Sequence, residues 1–215
     1  MTRAERMARF QETDLYVVIT ESFCAGRNAD CVLEATLRAG VRLVQLREKD
    51  CGARELLARV KRFRELTARY GALLIVDDRV DIALAAGADG AHLGLDDLPL
   101  AAARAIAPDL ILGASSHNLE EALAAESAGA DYVNIGPVFA TQTKSVPTGV
   151  VGPEMIAAIA PHLSIPFTCM GGIKLHNIHE VLARGARHPA VVTAVTAADD
   201  VETAARALRE AMVNA

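Results

Sequence analysis

Eight short apolar runs recur along the chain: LYVVIT (15–20), RLVQLR (42–47), ALLIVD (72–77), GAHLG (90–94), LILGAS (110–115), DYVNIG (131–136), PFTCM (166–170) and AVVTAV (190–195). Between them lie Ala-, Leu-, Glu- and Arg-rich segments whose apolar residues follow a helical spacing, such as ARELLARVKRFRELTARY (53–70) and LEEALAAESAGA (119–130). Gly40, Gly87, Gly129 and Gly185 close helical segments, where a left-handed residue ends a helix at least cost. Strands apolar on both faces and separated by helices pair in parallel beneath a helical layer.

Eight strand–helix units predict an α/β protein with one (β/α)8 barrel, near the lower end of that fold's size. A doubly wound open sheet is the alternative, but it usually has fewer strands, and no GxGxxG follows the first strand here. The predicted domain is 1–215, with residues 1–13 an N-terminal extension. The longest stretch without periodicity, PVFATQTKSVPTGVVG (137–152), reads as an active-site loop.

Composition changes little in this picture. The chain is 52% hydrophobic and 23% charged, enough to bury a full core. Its net charge of −5 argues against general nucleic-acid binding. No apolar run has the length of a membrane span, and the charged segment MTRAERMARFQETD lacks the apolar core of a signal peptide. A cytoplasmic location is expected. Cys24, Cys31, Cys51 and Cys169 show no metal or redox spacing and are expected to be reduced.

The barrel places every strand's C-terminal end on one rim, where such folds keep their active sites. Strand two ends in Gln45, Arg47 and Lys49, on one face because side chains alternate. Strand three ends in Asp77-Asp78-Arg79, strand four runs into Asp96-Asp97, and strand five ends in Ser115-Ser116-His117. The sixth loop carries Thr141, Thr143 and Lys144, strand seven ends in Gly171-Gly172, and the eighth run contains Val192-Thr193. Arg47, Lys49 and Lys144 would neutralise phosphate charge. Asp78 and Asp97 would hold a hard cation such as Mg2+, and the glycine pair lets backbone amides approach a second anion. Each element also has an ordinary explanation: the aspartates as helix caps, the glycines as a turn, and His92 and His117 as packing or capping residues. Their coincidence on one rim favours two anion sites, one with a metal.

In sequence order, QLREK (45–49), DDRVDIALAAGADGAHLGLDDLP (77–99), GASSH (113–117), EALAAESAGADYV (121–133), GPVFATQTK (136–144) and GGI (171–173) resemble the thiamine-phosphate synthase family. The resemblance spans roughly residues 14–196. It implies an enzyme that joins hydroxymethylpyrimidine pyrophosphate to a thiazole phosphate, or its carboxylated form, releasing pyrophosphate. It further implies that Gln45, Arg47, Lys49, Asp77, Ser115 and Lys144 contact the pyrimidine pyrophosphate and that Asp78 and Asp97 bind Mg2+. Thr141 and Thr143 would contact the thiazole carboxylate, and Gly172, Val192 and Thr193 its phosphate. The implied partners are these small molecules, with neither nucleic acid nor membrane; a homo-oligomer is left open.

Two positions depart from that family's pattern: Asp77 stands where Asn is usual, and Leu95 where Gln is usual, removing an amide from the rim. Alternatives are the sister thiazole tautomerase, whose histidine position holds Pro137 here, a catalytically silent phosphate-binding regulator, and another phosphate-handling barrel enzyme such as a sugar-phosphate isomerase.

Overall fold

The computed structural model describes residues 1–141, 143 and 149–214. Eight parallel strands close into a barrel in the order β1 to β8, with β8 returning to pair with β1. They are β1 (Tyr16–Ile19), β2 (Leu43–Leu46), β3 (Leu73–Asp77), β4 (Gly90–Leu93), β5 (Ile111–Ser116), β6 (Tyr132–Ile135), β7 (Phe167–Met170) and β8 (His188–Val191). Helices α1 (Arg3–Gln11), α2 (Ala29–Arg38), α3 (Ala53–Arg69), α4 (Val80–Ala86), α5 (Leu100–Ile106) and α6 (Leu119–Ser127) precede the sixth loop. After it come α7 (Glu154–Ile159), α8 (Ile178–Leu182), α9 (Thr193–Thr196) and α10 (Val201–Val213). Closure excludes the open sheet.

Alternation along each strand divides the core into two layers. Val17, Ile19, Val44, Leu46, Leu74 and Val76 pack outward against the helices. Tyr16, Val18, Leu43, Leu73, Ile75, Ile111, Tyr132 and Ala190 fill the barrel interior. Room for the large Tyr132 ring comes from its neighbour on β5: a Cβ on Gly113 would lie 2.1 Å from that ring.

The N-terminal extension 1–13 carries its own helix, packed against the barrel. Thr2 and Glu5 form a reciprocal capping box for α1, and Phe10 is fully buried, stacked 4.9 Å from the Tyr132 ring. The helix covers the N-terminal end of the barrel and is tied there by two buried carboxylates. Asp131 receives Arg3 at 2.6 Å and Arg104 at 2.5 Å, while accepting the Leu112 amide at 2.8 Å. Asp89 pairs with Arg6 and Arg64 and accepts the Leu74 amide at 3.0 Å. Four charged residues in α1 (Arg3, Glu5, Arg6 and Arg9) masked the short apolar face carried by Met7 and Phe10.

The eighth strand is displaced from its expected place. It runs over His188–Val191 rather than 190–195, and Thr193–Thr196 turn into α9. Proline within the run concealed its start, and the β-branched residues after it are recruited into a helical turn by tertiary packing.

Candidate active site

The polar ends of β2, β3, β4 and β5 converge on one cavity. Its wall includes Gln45, Arg47, Lys49, Asp77, Asp78 and Asp97, with Ser115 beyond them. A second cavity, lined by Gly172, Val192 and Thr193, opens at the ends of β7 and β8. Thr141, Thr143, Met170 and Gly171 line both, so the two cavities meet. All the candidate residues that are described thus line one connected space. Lys144 lies outside the described residues, as do most of the central positions of the 137–152 loop.

The chain after β2 is anchored by its own backbone. Arg47 donates its amide to Ile19 O at 2.9 Å, and its carbonyl accepts the Thr20 hydroxyl at 2.6 Å. From that anchor Lys49 donates to Asp78 and lies 3.1 Å from Asp77, while Arg47 Nε is 3.3 Å from Asp77. Two cations and two carboxylates therefore sit interleaved. Burial, together with the neighbouring Asp78 charge, pushes the Asp77 carboxyl up to about 6. Burial pushes Asp78 the same way, but hydrogen bonds from Lys49 and Asp97 prevail and hold it below the usual carboxylate range.

Asp78 has φ +59°, in the left-handed region, and its amide donates to His92 O at 2.8 Å. This turn is not a capped helix start, because the residue before α4 is Arg79 and it makes no side-chain cap. The strained turn instead brings the Asp78 carboxylate to Asp97. Asp97 is itself aimed by the Gly94 amide, which donates to its Oδ2 at 2.7 Å. Burial and the hydrogen bond to Asp78 raise the Asp97 carboxyl. Two facing carboxylates with that unmet charge fit Mg2+, which takes a few protein oxygens and completes its shell with water and phosphate oxygens. Among the described residues no larger cluster of metal-ligating side chains exists. Asp78 and Asp97 are the residues that would hold the ion.

Below the cavity runs a buried hydrogen-bond chain that the sequence did not disclose. Gln45 Nε2 donates to the Tyr16 hydroxyl at 2.8 Å, and Tyr16 meets the Tyr132 hydroxyl at 3.2 Å. Tyr132 reaches His92 Nδ1 at 3.0 Å, and His92 Nε2 reaches Ser115 Oγ at 3.0 Å. With the amide as first donor, Tyr16 is free to pass its own hydrogen on to Tyr132. Gln45 and Ser115, at the two ends of the chain, both line the cavity. His92 thus ties the chain to Ser115 and also lines the cavity, as does His117, whose Nδ1 is 2.8 Å from Glu121. The only earlier signal for this chain was an aromatic at the same inward position of β1 and β6. Leu95 is 60% exposed and lines neither cavity.

In the second cavity, Gly172 adopts φ +63°, and a Cβ there would sit 2.4 Å from Ala140 O. Only glycine lets β7's end approach the sixth loop so closely. Asn177 stitches the segment by accepting the Lys174 amide at 2.7 Å and donating to Gly172 O at 3.1 Å. Lys174 and Asn177 were not singled out from the sequence.

A (β/α)8 barrel whose strand ends hold a cavity of interleaved cations and carboxylates beside an amide-lined one has the form of an enzyme that handles phosphate esters. Residues 15–195 match the family described as thiamine monophosphate synthase, and the chain belongs to that family. It is 46% identical over 203 residues to a thiamine-phosphate synthase of Chloroflexus aurantiacus, covering 94% of each chain. It is 48% identical to that of Pyrococcus horikoshii, covering 82% of this chain and 85% of the other. The solved thiamine phosphate pyrophosphorylase from Pyrococcus furiosus superposes with TM-score 0.87 at 40% identity, covering 94% of this chain and 96% of that one. A 3-hexulose-6-phosphate synthase, at 19% identity and TM-score 0.65 over 93% and 99% of the two chains, shares the fold.

Proposed function

We propose that the chain catalyses the thiamine-phosphate synthase reaction, condensing 4-amino-2-methyl-5-hydroxymethylpyrimidine pyrophosphate with a thiazole phosphate. The observation that carries this reading is the contact between the two cavities: one suits a metal-bound pyrophosphate, the other a phosphate monoester. The reacting carbon and nitrogen would meet where they join, beside Thr141 and Thr143.

Arg47 and Lys49 face the pyrophosphate and neutralise the charge that develops as it leaves, where fixed cations act most strongly. Mg2+ bound by Asp78 and Asp97 would supply further Lewis-acid neutralisation of the departing oxygens. Gln45 and Ser115, aimed by the Tyr16–Tyr132–His92 chain, orient the pyrimidine. Its amino group pushes electrons toward the methylene, the C–O bond to pyrophosphate breaks, and the resulting benzyl-like cation is captured by the thiazole nitrogen. The new C–N bond leaves a thiazolium, and no net proton moves. No protein nucleophile is required, so positioning and electrostatics carry the rate. Ion pairing of Arg47 and Lys49 with Asp77 and Asp78 keeps the cations in place before the substrate arrives. Thr141 and Thr143, whose hydroxyls are 2.9 Å apart, would contact the carboxylate of a carboxylated thiazole phosphate, which leaves as CO2 when that form is the substrate. Residues 137–152 would close over both substrates, in a single domain spanning 1–215.

The test is pyrophosphate release with both substrates, with and without Mg2+. Release that requires both substrates and the metal is expected. Silence with both present would sink the reading and favour a binding protein. Thiazole isomerisation without the pyrimidine would favour a tautomerase.

A further inference from the structure

We propose that Lys174 is a specificity-determining residue of the second cavity, its ammonium binding the phosphate monoester of the thiazole substrate and selecting it over the unphosphorylated alcohol. This deepens the reading above and rests on it for the substrate's identity.

Lys174 follows the Gly171-Gly172-Ile173 segment, and its backbone amide is held by Asn177. The side chain is partly buried and reaches across from the β7 end to the β8 end. There Nζ donates to Thr193 Oγ1 at 2.7 Å. That bond places a positive charge beside the backbone of Gly172, Val192 and Thr193, within the wall of the cavity. Because Thr193 Oγ1 accepts from the ammonium, its own hydrogen is free to donate into the cavity. The amides of Gly172 and Thr193 donate to no acceptor among the described residues.

The contrast with the first cavity is instructive. Arg47 and Lys49 are each paired with carboxylates, whereas Lys174 pairs with none among the described residues, and burial alone depresses its ammonium. A half-buried lysine without a counter-charge lowers stability. Its cost is recovered when a dianion enters, and that gain goes to the phosphorylated ligand alone. The remaining basic side chain in the wall, His176, is exposed.

The experiment compares wild type with Lys174→Ala, Lys174→Gln and Lys174→Arg. Calorimetric binding of thiazole phosphate is measured first, without turnover. The Kd should rise about tenfold or more in the Ala and Gln variants, the worth of one charge-assisted hydrogen bond, and stay near wild type in Arg. In turnover, KM for thiazole phosphate should rise while KM for the pyrimidine pyrophosphate holds. The kcat/KM for the unphosphorylated thiazole alcohol should be unchanged. Equal losses for phosphate and alcohol would mean that Lys174 merely props Thr193, and would overturn the proposal. So would wild-type affinity in Lys174→Ala, or no binding by wild type. A wild type that binds thiazole phosphate but releases no pyrophosphate would instead fail the reaction and leave the role of Lys174 standing.

Discussion

The hydroxyls of Tyr16 and Tyr132 meet at 3.2 Å inside the barrel, linking Gln45 on one side to His92 on the other. Tyr16→Phe keeps the ring and removes the acceptor that holds Gln45 Nε2. A buried donor left without a partner costs about 1–3 kcal/mol, to be read from urea unfolding. The freed amide should also raise KM for the pyrimidine pyrophosphate several-fold and leave that for thiazole phosphate alone. Unchanged kinetics would show that the chain does not aim Gln45.

Asp78→Asn isolates charge from backbone, since Asn tolerates the φ of +59° that Asp78 adopts. Turnover should fall by roughly 100- to 1000-fold, as when one charge-stabilising group is lost, and the Mg2+ concentration for half-maximal rate should rise. Thermal melting should stay close to wild type. A variant with a normal metal requirement would remove Asp78 from the metal site.

Phe10→Ala should cost about 3–5 kcal/mol in urea unfolding, the usual loss for a buried aromatic replaced by a methyl group. Phe10 lies at the opposite end of the barrel from the cavities, so kcat/KM of the folded variant at 25 °C should change little. A loss below about 1 kcal/mol would mean that α1 is only draped over the barrel.

His188 gives the pH dependence. It is buried, 4.9 Å from the Phe10 ring and 3.4 Å from the Thr13 hydroxyl, with Asp14 and Arg187 nearby. Burial holds its imidazole below the ordinary 6.5. Below that pH the unfolded chain takes up the proton first, so stability falls as the solution is acidified, until the folded imidazole itself titrates. Melting temperatures of wild type and His188→Gln measured from about pH 7 to 5 should converge toward the acid end. Parallel curves would show that His188 does not carry this loss.

Much of this was legible in residue order, and what was not has physical causes. The strand–helix alternation fixes the barrel because each strand is apolar on both faces, and Arg47, Lys49, Asp78 and Asp97 are conspicuous as charges at apolar strand ends. Phe10 was not legible, since Met7 and Phe10 make only a short apolar face on a helix that otherwise reads as charged. The Tyr16–Tyr132–His92 chain was not, because strands paired in space are not adjacent in sequence. Lys174 resembles any loop lysine until Thr193 is seen beside it. The capping explanation for Asp77-Asp78 was equally open until the left-handed backbone at Asp78 closed it.

Arg3 and Arg6 are one helical turn apart, and each meets a different aspartate at the base of the barrel. A helix resting on Phe10 alone could pivot about that ring as a cork turns in a bottle. Asp89 and Asp131 remove that freedom, because only one rotational setting serves both. The two arginines act as the teeth of a key, and the bearing of α1 on the barrel is written in charge while its grip is written in hydrocarbon.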